Sequence, residues 1–160
     1  MQEPVPPALT VPVQLLLPPS VTVTLPVVKP SLKPSVTLPN LPSLSELTLY
    51  GTGIDDGDLA CLARLPGLRH LTLDGTSVTG SGLDYLPEPS RLESLVIYDA
   101  PLASLPVRGL PQLKRLSVWG CPIDDEGLQA LSKMPTIVRL QLDATRVKGS
   151  CLVHLEKAAK

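Results

Sequence analysis

A mixed α/β repeat, a solenoid of about five units, is the fold class this sequence predicts, and three observations predict it. One phrase returns in the same register as LSELTLYGTGI, LRHLTLDGTSV, LESLVIYDAPL, LKRLSVWGCPI and IVRLQLDATRV. Its central leucine falls at Leu47, Leu71, Leu95, Leu116 and Leu140, so the steps are 24, 24, 21 and 24 residues, a period typical of stacked units. Within the phrase, apolar and polar residues alternate as in a short strand whose two faces differ. After it, three units run into SGLDYL, EGLQAL or the related GDLACL, too short for a free helix but adequate as a turn or two packed on neighbours. Each unit supplies half a core, so the units have to stack.

The chain of 160 residues has room for one domain and an appendage. The appendage comes first, as residues 1–40. Eleven of the nineteen prolines precede Ser43, together with only three charged residues, Glu3, Lys29 and Lys33. Internal prolines remove donors and clash with the preceding turn, so this stretch is not helical. Extended strand, polyproline II and disorder are its options. Its valines and leucines favour part of it lying against the repeats. Val23 and Leu25, in SVTVTL, stand 24 residues before Leu47 and Leu49, which suits a worn first repeat covering the open sheet edge. In that alignment Ser20 and Pro30 fall in apolar columns, and a proline-rich linker is the other reading.

The repeat domain spans residues 41–160. In each strand a pair such as Leu47 and Leu49, or Leu71 and Leu73, faces one way and the intervening residues face the other. Ile54, Val78, Leu102, Ile123 and Val147 supply the next apolar anchor and close the turn after the strand. The third unit departs from this plan. It is three residues shorter, and its outer segment reads LASLPVRGLPQ. Prolines preclude a regular helix there, so an extended crossing and locally altered curvature are expected.

The L-x-x-L-x-L phrase, followed by a small polar residue, one more residue and an apolar one, resembles the leucine-rich repeat family over roughly residues 41–160. That resemblance implies a curved, right-handed solenoid with parallel strands on the concave side and short helices outside. GTGIDDGDLACL and WGCPIDDEGLQAL look like a bacterial variant in which threonine replaces the usual asparagine. Here the column reads Thr52, Thr76, Ala100, Cys121 and Thr145. A threonine hydroxyl can bond buried backbone in the turn, whereas Ala100 cannot and Cys121 can do so only weakly. The third unit's outer segment is similar to the L-P repeats of bacterial effector ligases.

Bulk properties narrow the function. Acidic and basic side chains nearly cancel, at 15 against 14, so the field that nonspecific phosphate binding needs is missing and nucleic acid is not an expected partner. Cys61, Cys121 and Cys151 cannot all pair within one chain and none stands in a C-x-x-C spacing. A reducing, cytoplasmic setting is expected. The start, MQEPVPPALTVPVQLLLPPSVTV, lacks basic residues and is broken by prolines, unlike a secretory signal. No uninterrupted apolar run approaches the roughly 18 to 20 residues that span a bilayer as a helix, and a soluble protein is expected.

The sequence carries no G-x-x-x-x-G-K-[ST], H-E-x-x-H or G-x-S-x-G phrase. Of the two histidines, His70 falls on the exposed side of a strand and His154 in the last outer segment, so they do not share a metal. Asp55, Asp56 and Asp58, and Asp124, Asp125 and Glu126, have the oxygen-rich look of a calcium site. Their place just after the turn residue instead suits capping of the following helical turn, and the equivalent columns hold Thr79 and Lys148. Cys61 shares a column with Tyr85 and Ala130, and Cys151 with Gly82 and Gly127, which reads as packing rather than nucleophilic chemistry. No catalytic residue, metal or cofactor is implied, and an enzyme is not expected.

The aromatic residues carry the positive signal. There is no phenylalanine, and three of the four aromatics fall in one column at the strand ends: Tyr50, Asp74, Tyr98, Trp119 and Asp143. On the same face stand Thr48, Thr72, Val96, Ser117 and Gln141, and beyond them Glu46, His70, Ser94, Arg115 and Arg139. Parallel neighbours lie about 4.8 Å apart, which places Tyr98 beside Trp119 with Arg115 and Arg139 next to them. Tyrosine, tryptophan and arginine are enriched in binding hot spots, although bulky aromatics also simply cover and stiffen a sheet. The expected function is binding of a protein partner through the concave face, by Glu46, Tyr50, His70, Asp74, Tyr98, Arg115, Trp119, Arg139 and Asp143. Asp74 and Asp143 would set charge complementarity at the flanks. The alternatives are a substrate-recognition fragment of a larger enzyme such as a ligase, and a structural, self-associating stack.

Overall fold

A parallel ladder rewards a sequence that repeats in register, because each leucine then stacks on the leucine of the next strand. The computed structural model describes residues 41–154 apart from 52, 89 and 106–109, together with strand backbone at 9–10, 20–24 and 36–37. The strands are β1 (Leu9–Thr10), β2 (Ser20–Thr24), β3 (Val36–Thr37), β4 (Glu46–Tyr50), β5 (His70–Asp74), β6 (Ser94–Tyr98), β7 (Arg115–Trp119) and β8 (Arg139–Asp143). Six of them form one parallel sheet in the order β2-β4-β5-β6-β7-β8, while β1 and β3 pair separately. Leu47, Leu71, Leu95, Leu116 and Leu140 lie opposite one another in successive strands. The repeated phrase is therefore the sheet register itself.

Burial follows the alternation. Leu47, Leu49, Leu71, Leu73, Leu95, Ile97, Leu116 and Val118 are buried, and the turn anchors Ile54, Val78, Leu102 and Ile123 are buried with them. A second layer of leucines, including Leu59, Leu62, Leu83, Leu128 and Leu131, closes the core from the other side. Each such side chain contributes about 2 kcal/mol by leaving water. In β8 the pattern weakens: Leu140 and Leu142 are only half-buried, because among the described residues β8 pairs with β7 alone at the sheet's edge.

The outer segments are helical but of the tighter kind. Asp58–Arg64, Ser81–Tyr85, Gln129–Lys133 and Ser150–His154 are 3-10 turns, closed by bonds such as Leu65 N–H to Leu62 O and Leu83 N–H to Gly80 O. A 3-10 turn rises about 2.0 Å per residue against about 1.5 Å in an α-helix. In units this short, the tighter helix returns the chain to the next strand with fewer residues. In the third unit, residues 101–105 have no helix and Pro111–Gln112 form a turn, while 106–109 lie outside the described residues. The extended crossing shows at 101–105, held by Ala103 N–H to Thr79 O at 2.9 Å and Leu105 N–H to Gly127 O at 3.0 Å. Two glycines make this close approach possible, since a Cβ on Gly80 would overlap the Ser104 carbonyl oxygen and one on Gly127 the Ala103 carbonyl oxygen.

The N-terminal appendage adds a strand, but not in the expected register. Val21 lies opposite Leu47 and Val23 opposite Leu49, a step of 26 residues rather than 24, and Leu25 lies outside the described residues. A slip of two preserves the in-out parity of a strand, so alternation alone left the choice open. The observed register puts Ser20 opposite Glu46, in a polar column. Pro30 is outside the described residues.

Candidate functional site

Polar and aromatic residues gather on the sheet face away from the leucines. Tyr98 and Trp119 are register partners on β6 and β7, and their rings meet edge to face, with centroids 6.5 Å apart and planes at 78°. That arrangement sets the positive edge of one ring against the negative face of the other. Trp119 remains 47% exposed and Tyr50 38%. The predicted neighbourhood of Tyr98 and Trp119 is real, while Tyr50 stands two strands away.

The face holds two shallow depressions arranged end to end along the strands. At the strand starts a depression of about 450 Å³ is lined by Glu46, His70, Arg115 and Arg139. At the strand ends a second, of about 480 Å³, is lined by Asp74, Asp99, Trp119 and Asp143. Tyr98, Ser117 and Gln141 border both. The expected cluster of Trp119 with Arg115 and Arg139 is thereby corrected. Arg115 and Trp119 are the two ends of β7, about 13 Å apart at about 3.3 Å per residue, and the arginines share a depression with Tyr98 but not with Trp119. Tyr50 lines neither.

Asp99 joins the site without having been anticipated. It occupies the position filled by Gly51, Gly75 and Gly120 in other units, with φ 46°, a left-handed conformation that aspartate tolerates better than most residues. Its carboxylate occupies the space where Gly120 would carry a Cβ. An acid interrupting a glycine column was the available signal.

The charges on this face contrast with those just beside it. Glu93 accepts from Lys114 Nζ at 2.8 Å and from Arg69, and these two donors, Lys114 first, hold its carboxyl below the ordinary value. Among the described residues, no ion pair or hydrogen bond engages the side chains of Arg115, Arg139, Asp74 or Asp143, and none of these four nor Asp99 has an ion-pair partner. One column of the molecule neutralises itself, and the next does not.

The acidic runs on the outer turns do something different. Asp55 Oδ1 accepts from Gly57 N–H at 3.0 Å, and Asp124 Oδ1 from Gly127 N–H at 3.0 Å, which is local capping as expected. Asp56 and Asp125 correct that expectation by reaching into the next unit. Asp56 accepts from the Thr79 hydroxyl at 2.7 Å and from the Thr79, Gly80 and Gly82 amides. Asp125 accepts from the Lys148, Gly149 and Cys151 amides at 2.8 to 3.0 Å. Partial burial would raise the Asp56 carboxyl, but its four donors together hold it below the ordinary value. Amide bonds, from Cys151 first and then Lys148, hold Asp125 well below it.

All three thiols are buried and free. Burial pushes Cys61 up to about 11 and raises Cys121; burial, with the Asp125 carboxylate beside it, pushes Cys151 up to about 11. Thiols held protonated are poor nucleophiles. The turn column also needs correction. The Thr76 hydroxyl is buried with no hydrogen-bond partner among the described residues, whereas the Cys121 Sγ–H donates to Trp119 O at 3.3 Å. Thr52 lies outside the described residues. His154 ends the last outer turn, away from His70 on β5. Compared with protein-family models and with the curated proteins, the chain matches none.

Proposed function

We propose that the chain is a leucine-rich repeat protein, a right-handed solenoid whose concave sheet face binds a protein partner, and that it is not an enzyme. The observation that carries the reading is the set of charges, without ion-pair partners among the described residues, that flanks the half-buried Tyr98 and exposed Trp119 on one continuous face. A partner that desolvates such a surface gains contact area from the rings and specificity from the charges. The register of the leucines supports the family. The free thiols support a reducing, cytoplasmic setting, and among the described residues no helix is long and apolar enough to cross a membrane. The test is capture of partners from native lysate with the whole chain. Loss of capture in the Trp119→Ala and Arg115→Ala variants supports the reading, and unchanged recovery overturns it.

A second reading, self-association through the end of the sheet, is favoured by β8. Among the described residues its outer edge is unpaired, Leu140 and Leu142 are half-buried, and Val138 beside them is 86% exposed. Sedimentation that shows mass rising with concentration would support it, and a monomer at all concentrations would exclude it.

A further inference from the structure

The two ends of the open face ask for different chemistry. At the strand ends, Asp74, Asp99 and Asp143 border the Tyr98–Trp119 pair without ion-pair partners among the described residues. An anion would be repelled there, and an apolar group would leave carboxylates desolvated and unpaired. A metal ion is poorly served, because among the described residues no three acidic, histidine or cysteine side chains converge on a point. A basic side chain satisfies both components: a guanidinium or ammonium is attracted to an aromatic face and to carboxylates alike. At the strand starts, Arg115 and Arg139 are register partners on adjacent strands, about 4.8 Å apart, a spacing at which both can donate to one carboxylate.

Resting on the reading of this face as a partner surface, we infer that the partner presents an extended segment with one basic and one acidic residue four positions apart. The basic side chain enters the acidic, aromatic depression, and the carboxylate meets Arg115 and Arg139. Four extended residues span about 13 Å, the length of β7 from Arg115 to Trp119. The face between the charged ends consists of Thr72, Val96, Ser117 and Gln141, short or flexible side chains that leave room for a backbone. From β5 to β8 charge is segregated along the strands rather than across them, with Glu46 on β4 the one acid at the strand starts, and this segregation sets the spacing and disfavours a uniformly charged ligand.

The probe is a set of blocked pentapeptides titrated into the isotope-labelled full chain: Arg-Ser-Gly-Ser-Glu, its reverse, and versions with arginine at both ends or glutamate at both ends. Trp119 is the single tryptophan, so its indole N–H signal reports the acidic end without ambiguity, and the Arg115 and Arg139 Nε–H signals report the other. One mixed peptide is expected to move both sets in a single saturable step, with at least about tenfold tighter binding than either uniform peptide, a difference of about 1.4 kcal/mol. An indole signal unmoved by both mixed peptides at millimolar concentration overturns the inference, as does equal binding of the double-glutamate peptide. If Trp119→Ala and Arg115→Ala abolish capture while every pentapeptide is ignored, the face binds protein by other means and this inference alone falls. If capture is unaffected by both substitutions, the underlying reading falls with it.

Discussion

Ser77 N–H to Ile54 O and Arg146 N–H to Ile123 O join neighbouring units at the turn anchors, but just beyond those anchors the junctions are made in two ways. At the ends of the array, from the first unit to the second and from the fourth to the fifth, a carboxylate reaches across: Asp56 to the amides of Thr79, Gly80 and Gly82, and Asp125 to those of Lys148, Gly149 and Cys151. On either side of the short third unit, backbone bonds backbone directly, Ala103 to Thr79 and Leu105 to Gly127. The first kind spans a gap with a side chain, and so depends on protonation. The second kind closes the gap, and so depends on there being no side chain at Gly80 or Gly127.

The sharpest way to break the contrast is steric. Gly80 sits at φ 120° and ψ −26°, strained for any other residue, and a Cβ there would strike the Ser104 carbonyl. Gly80→Ala should cost about 3 kcal/mol in urea unfolding, from backbone strain plus overpacking. Gly75, at φ 60° with nothing within 4 Å of a Cβ, is the matched control. Gly75→Asn should change stability by less than about 0.5 kcal/mol, since asparagine tolerates that conformation and no contact is lost.

The carboxylate junction should give a smaller effect. Asp56→Ala leaves three amides of the second unit without their acceptor, some of which water can reach. The expected loss is about 2 kcal/mol, at the upper end for a helix cap because several donors are orphaned together. Urea unfolding of the variant at neutral pH checks it. A loss below about 0.5 kcal/mol would place the stability of that junction in its leucines and backbone bonds.

Acid should separate the two kinds of junction further. Asp56 and Asp125 both have folded values depressed below the ordinary 3.8. A depressed acid stabilises the fold above its unfolded value, and that stabilisation is lost as pH falls through the folded value. Stability should therefore hold from neutrality to about pH 5 and fall below 3.8, with Glu93 contributing in the same direction. The Asp56→Asn, Asp125→Asn double variant should begin less stable at pH 7 and lose less between pH 5 and pH 2.5, measured by urea unfolding at each pH. An unchanged acid slope would show that the two aspartates do not set it.

How much of this was legible follows from what a linear sequence displays. The sheet was legible because a parallel, in-register ladder copies the period of the chain into space, leucine on leucine. The end strand was half legible: alternation set Val23 opposite a strand leucine, but the partner is Leu49 rather than Leu47, and a slip of two is invisible to a period of two. Asp56 and Asp125 resemble local caps in the sequence because a capped turn's own amides lie within three or four residues, while their partners lie 23 to 26 residues on. The polar and aromatic face was legible by column, and its expected cluster was too compact along the strand. Trp119 and Arg115 share a strand and a face, yet they serve opposite ends of it. Nothing in residue type distinguished Thr76, whose hydroxyl has no hydrogen-bond partner among the described residues, from Cys121, whose thiol is bonded.

The smallest expected effect tests whether partners, rather than charge, define a structural aspartate. Asp143 is an acid in a turn-proximal position like Asp56, but it lines an open depression and its side chain accepts no hydrogen bond among the described residues. Arg115 is its counterpart at the other end of the face. Removing either charge leaves no buried donor or acceptor unmatched, so Asp143→Asn and Arg115→Gln should each shift unfolding stability by less than about 0.5 kcal/mol. A combined variant should lose no more than the sum, because the two sites are more than about 10 Å apart and share no partner. If Asp143→Asn instead cost as much as Asp56→Ala, the open face would be part of the scaffold, and its charges could no longer be assigned to recognition.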